Sequence, residues 1–121
     1  MGRSSFRPRY EIDFVEFPSS SAGDSSRFFE KAFGWTATPY GPAYSDVQSG
    51  GVVSLGFQQD AAQQTAAPLV TIRTDDLDRA RESVEAAGGV VTVEPFAFPG
   101  GRRFHFREPG GAELAVWSPD A

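Results

Sequence analysis

One pattern recurs along this chain, and it constrains the fold more than any single residue does: a strand, a helix and three short strands, then the same series again. Tyr10 to Phe17 alternates in polarity as a strand does, and Pro18 with Ser19-Ser20-Ser21 stops it and supplies helix-capping hydroxyls. Phe28, Phe29, Ala32 and Phe33 then recur at helical spacing up to Gly34. Trp35–Thr38, Ala43–Gln48 and Gly51–Phe57 read as strands joined by Pro/Gly turns, and polar Gln58–Ala67 reads as a linker. Leu69–Thr74 is again a strand, and Asp76 caps a helix carrying Leu77, Ala80, Val84 and Ala87 on one face. Gly88-Gly89 ends that helix, and Val90–Glu94, Arg102–Arg107 and Glu113–Trp117 are strands.

The two copies align residue by residue. Phe14 precedes the helix start Ser21 by as much as Leu69 precedes Asp76, and Gly50–Phe57 lies beside Gly110–Trp117 as the closing strand. Two copies in 121 residues indicate one duplicated unit within one domain, residues 1–121. Module one covers about 10–57, the linker about 58–67 and module two about 68–118. The fold class is α+β.

Composition removes several function classes. Cysteine is absent, which excludes disulfide scaffolds, thiolate zinc sites and cysteine nucleophiles. The net charge of −5 opposes nucleic acid and anionic membranes as partners. No apolar run approaches the ~18 residues of a membrane span, and Met1–Arg9 has no apolar signal core, so a cytoplasmic location is expected. The paired glycines 50–51, 100–101 and 110–111 are turn residues, without the spacing of a phosphate-cradling loop, and no G-x-S-x-G elbow occurs.

Over Ile12 to Ser118 the chain resembles the vicinal oxygen chelate superfamily of glyoxalases, bleomycin resistance proteins and extradiol dioxygenases. The carriers are Glu16-Phe17-Pro18, Phe28-Phe29-Glu30-Lys31-Ala32-Phe33-Gly34-Trp35, Thr74-Asp75-Asp76-Leu77, and the turn Arg107-Glu108-Pro109-Gly110-Gly111-Ala112-Glu113-Leu114. Glu108 and Ala112 depart from the usual Asp-Pro-x-Gly-Asn turn. The resemblance implies tandem βαβββ modules forming a curved mixed sheet around a cleft, helices on the outer face, and a homodimer. It also implies four metal-ligating positions, on the first and last strand of each module. Here these are Phe14, Leu69, Leu55 and Ala115, none with a donor atom, so no metal cofactor is expected. Glu113, two residues before Ala115, is a lone carboxylate, and His105 is the only histidine.

Period-2 alternation assigns Val15, Phe17, Val70, Ile72, Phe104, Phe106, Leu114 and Val116 to the helix-covered face. The opposite face carries the expected ligand contacts Phe14, Glu16, Leu55, Leu69, Arg73, Arg103, Ala115 and Trp117, with Val53, Phe57 and Thr71. It also carries the catalytic candidates His105 and Glu113. Each residue has a plainer role open to it. The apolar ones can fill a core, His105 can be a solvated strand residue, and Glu16 or Glu113 can pair with Arg73 or Arg103 across strands. The aromatic, Pro-stiffened segments 39–44 and 95–99 are read as loops, forming a cleft rim or covering a sheet edge. Three functions stay open: a metal-free protein of bleomycin-resistance type that sequesters an aromatic or cationic small molecule; a metal-independent isomerase, cyclase or lyase; and, against the four positions without a donor, a metal-dependent glyoxalase or dioxygenase.

Overall fold

The computed structural model describes residues 9–120; the N-terminal stretch read as lacking a signal core lies mostly outside them. The elements follow the duplicated order. They are β1 (Tyr10–Pro18), α1 (Ala22–Phe33), β2 (Thr36–Pro39), β3 (Tyr44–Gln48) and β4 (Ser54–Gln58), then β5 (Leu69–Thr74), α2 (Leu77–Ala86), β6 (Val90–Phe98), β7 (Gly101–Arg107) and β8 (Glu113–Pro119). The fold is α+β with mixed strand pairing. Taken from its first strand, module one runs β1-β4-β3-β2 and module two runs β5-β8-β7-β6, the same topology twice. Ser21 and Asp76, the residues that align the copies, are the two helix N-caps, each accepting a backbone N–H three residues on. No helix among the described residues is long and apolar enough to cross a membrane.

The chain divides into two compact units, residues 13–70 and residues 71–120 with the start of β1. In the first unit, β1 and β4 pair in parallel, with Val15 beside Leu55 and Phe17 beside Phe57. Under α1, Ala22, Val47 and Phe57 form a buried cluster with Phe17, Phe29, Trp35, Ala37 and Leu55 against it. Phe57 stacks on both Phe17 and Phe29, and Phe29 stacks on Trp35. Leu55 and Phe57 therefore lie on the helix-covered face, not on the face expected for them.

The second unit packs α2 through Leu77 and Ala80 onto Phe104, Phe106 and Val116, with Ile72, Val84, Val91 and Leu114 around them. That face matches the alternation read from the sequence. β6 runs on through Pro95 to Phe98, where a loop was expected. Its pairing with β7 slips between Val91 and Val93 and again between Val93 and Phe96. Such bulges admit a proline that a regular ladder excludes, and they re-aim the side chains beyond them.

Candidate functional site

In module two, the face of β6, β7 and β8 opposite α2 gathers aromatic and polar groups. The cross-strand pairs are Arg103 with Phe96 on one side and Trp117 on the other, and His105 with Val93 and Ala115. The second bulge sets Phe96 and Phe98 on this face. The Arg103 guanidinium lies 5.3 Å from the Phe96 ring centre and 5.8 Å from that of Phe98. Phe98 in turn meets Trp117 at 6.2 Å, and Phe96 meets His105 at 6.0 Å. Arg103, Phe96, Phe98 and Trp117 are all half-buried, so the wall they build is in part accessible to a ligand.

His105 is buried, 6% exposed, which removes the reading of a solvated strand residue. Its Nδ1 stands 3.6 Å from Glu113 Oε2. The same oxygen accepts a hydrogen bond of 2.8 Å from the Thr92 hydroxyl, and Thr92 sits in the first bulge of β6. The Thr92 hydroxyl thus holds the Glu113 carboxylate beside the buried imidazole, at ion-pair rather than hydrogen-bond distance. Thr71 Oγ1 is buried with no hydrogen-bond partner among the described residues. Arg73 reaches Asp75 at 3.1 Å, an ion pair within its own strand end. Ala115 is fully buried.

In module one, Phe14 pairs with Ser54 and Glu16 with Gly56, so the closing-strand residues facing away from α1 are Ser54 and Gly56. Leu55, expected among the ligand contacts, belongs to the helix-side cluster instead. The matched glycine pairs misled the alignment. The left-handed residue is Gly50, first of its pair, in module one but Gly111, second of its pair, in module two. A shift of one residue moves a strand's side chains to the opposite face. Glu16 and Leu69 are both buried.

Asp46 was not among the expected site residues. On β3 it pairs with Gly56, which places its carboxyl on the same face as Glu16. Burial, and secondly the charge of Glu16, push its pKa up to about 6. The alternation of Ser45, Asp46 and Val47 around a buried Val47 was the available signal. Because the folded carboxyl holds its proton more tightly than the unfolded one, stability should fall as pH rises from about 3.8 to about 6. Asp46→Asn should remove that decline and add about 1–2 kcal/mol above pH 7, after allowance for partial exposure, in denaturant melts across pH.

Crevices lie elsewhere in each unit. One of about 290 Å³ is lined by α1, β2 and β3 residues including Ser26, Arg27 and Ser45, and one of similar size by Asp75, Asp76, Asp78 and Arg102.

A sequence model described as the glyoxalase/bleomycin resistance protein/dioxygenase superfamily matches residues 11–116. The chain belongs to this superfamily. An anthracycline biosynthesis protein, DnrV of Streptomyces peucetius, is 33% identical over 124 residues, covering 86% of this chain and 45% of the relative. The chain thus spans less than half the length of that curated relative. Among solved structures, the Mn(II)-bound glyoxalase of Novosphingobium aromaticivorans aligns with a TM-score of 0.67 at 24% identity over 89% of this chain and 38% of that one. The methylmalonyl-CoA epimerase of Mycobacterium tuberculosis aligns with a TM-score of 0.71 at 13% identity over 92% and 89%. These two likenesses establish the fold.

A metal of the superfamily's kind does not fit the residues present. Phe14, Leu69 and Ala115 carry no donor atom, and the residue that replaces Leu55 on the face away from α1 is Gly56, which has no side chain at all. Phe14 and Tyr44 fill the space there, since a Cβ on Gly56 would meet the Phe14 ring at 2.4 Å and the Tyr44 hydroxyl at 2.3 Å. Among the described residues no three or more His, Asp or Glu side chains group as a metal site.

Proposed function

We propose that the protein binds a flat aromatic small molecule on the β6–β7–β8 face of module two, without a metal. One observation carries this reading: Phe96, Phe98 and Trp117 are set around the Arg103 guanidinium on one accessible face. A planar ring system buries area against such side chains at low entropic cost, and the guanidinium stacks on or hydrogen-bonds to its oxygens. The likeness to an anthracycline biosynthesis protein supports a polycyclic aromatic as the ligand class and a biosynthetic setting over a resistance one. A homodimer is the proposed assembly, to be read by light scattering on the full chain.

The test is calorimetric titration with a planar hydroxyanthraquinone as the probe. The parent should bind it, and Trp117→Ala should weaken binding by about 1–3 kcal/mol, the loss expected for an aromatic anchor. Equal affinity in the two proteins would remove Trp117 from the site.

A second reading rests on the buried His105, 3.6 Å from a Glu113 carboxylate that Thr92 holds. In that reading the same face carries out a metal-independent proton transfer, as in an isomerisation or cyclisation, with His105 moving the proton and Glu113 orienting it. Glu113→Gln separates the two: it should abolish turnover and spare binding in an enzyme, and change no chemistry in a binding protein.

A further inference from the structure

The two halves of α1 meet the sheet of module one differently. In the C-terminal half Phe29 stacks on Phe57 and on Trp35. The N-terminal half turns the small residues Ala22 and Ser26, one helical turn apart and both buried, towards the strands. Small residues answer them from below. Ala37 of β2 pairs with Val47, and Ser45 of β3 pairs with Phe57. Val47 and Phe57 are buried in the cluster under α1, so Ala37 and Ser45 lie on the helix-covered face as well. Small side chains on both sides leave a crevice of about 290 Å³ between helix and strands, lined by Ala22, Ser26, Ala37 and Ser45 among others. Two hydroxyls are withdrawn from water there. Ser45 is 3% exposed, and its Oγ has no hydrogen-bond partner among the described residues. Ser26 is 7% exposed and donates its proton to the Gly23 carbonyl at 3.2 Å, which leaves its oxygen able to accept.

We propose that this crevice is a binding site for a neutral polyol of monosaccharide size, whose hydroxyls accept from Ser45 and donate to Ser26. A buried hydroxyl without a partner is costly, and a ligand that pairs it recovers that cost. The lining selects the ligand's chemistry. An apolar molecule leaves Ser45 unpaired. A charged one meets its own sign, because Arg27 and Glu30 bring one charge of each kind to the lining, and Arg27 is already paired with Asp24. A hydroxyl donates and accepts at once, which matches the two serines. Neighbouring hydroxyls of a diol suit the Glu30 carboxylate, which accepts with both oxygens. Pro39, paired with Ser45 and on the same face, gives the C–H edge of a sugar ring an apolar contact. Every residue of this site belongs to module one, and the proposal does not rest on what the aromatic wall of module two binds.

The experiment is an NMR titration of the full chain with methyl β-D-glucopyranoside, and with tetrahydropyran as the same ring without hydroxyls. The glucoside should shift the backbone signals of Ser26, Ala37 and Ser45 saturably, with a dissociation constant of about 1 mM, and tetrahydropyran should not. Ser45→Ala should weaken the glucoside about tenfold, the loss of one hydrogen bond in a closed site. The same variant should be no less stable than the parent, since the hydroxyl it removes has no partner in the free protein. Shifts still unsaturated at about 50 mM, or confined to other residues, would overturn the proposal without any variant. Equal binding of the two rings would overturn it too, because hydroxyls would then play no part. A Ser45→Ala chain that binds as the parent does, or that is clearly destabilised, would contradict the role given to Ser45 and the proposal with it.

Discussion

Replacing Phe104 by alanine should cost about 3–5 kcal/mol of folding stability, the range for removing a fully buried aromatic ring. Phe104 has no exposed surface and is the largest wholly buried side chain described. It lies at the centre of the cluster that joins α2 to β7 and β8, with Leu77, Ala80, Phe106 and Val116 around it. The Phe106 ring, 6.3 Å away, loses a tilted partner as well. The cavity left behind is walled by two strands and a helix, which can close on it only in part. Against a total of roughly 5–15 kcal/mol for a domain, such a loss brings the variant near unfolding. Urea denaturation should show the midpoint falling steeply with little change in slope. A loss below about 1 kcal/mol would mean that this cluster is not the core of module two.

Gly101→Ala should cost about 2–3 kcal/mol for a different reason. Gly101 opens β7 and pairs with Pro119, and a Cβ there would lie 2.2 Å from the Ser118 carbonyl oxygen and 3.1 Å from the Pro119 Cα. Both atoms are backbone, so relief requires β7 and β8 to move apart where they carry Arg103 and Trp117. Gly51→Ala is the matched control. Its Cβ would meet nothing closer than the Ser49 hydroxyl at 3.6 Å, and the change should stay within about 0.5 kcal/mol. Thermal melts of the two variants side by side test the contrast, and equal stabilities would contradict the close β7–β8 approach.

Much of the fold was legible because duplication doubled each signal. Ser21 and Asp76 are weak helix starts alone, but their equal spacing from Phe14 and Leu69 fixed both N-caps correctly. The helix-side face of module two was readable too, since β7 and β8 alternate without interruption from Arg102 to Trp117. Two features were not. Pro95 broke the strand pattern of β6, and a bulge, which leaves no periodic mark, carries the strand past it to Phe96 and Phe98. The Leu55 register failed because two glycine pairs that look alike turn the chain differently, and apolar Leu55 satisfies either face by composition. The polar side of the candidate site was half visible. His105 and Glu113 stand out as titratable groups on an apolar strand pair, whereas the environment of Asp46 arises from Glu16 and Gly56 on neighbouring strands.

The central claim is that module two's aromatic wall is a ligand surface, and residue-level mapping of the anthraquinone titration addresses it directly. In ¹H–¹⁵N spectra of the full chain, the backbone signals of Phe96, Phe98, Arg103 and Trp117 and the Trp117 indole N–H should shift together and saturate with one dissociation constant. The signals of α2 on the opposite face should stay in place. Saturable shifts that leave those four residues unmoved, or no saturable shift at all, would contradict the claim.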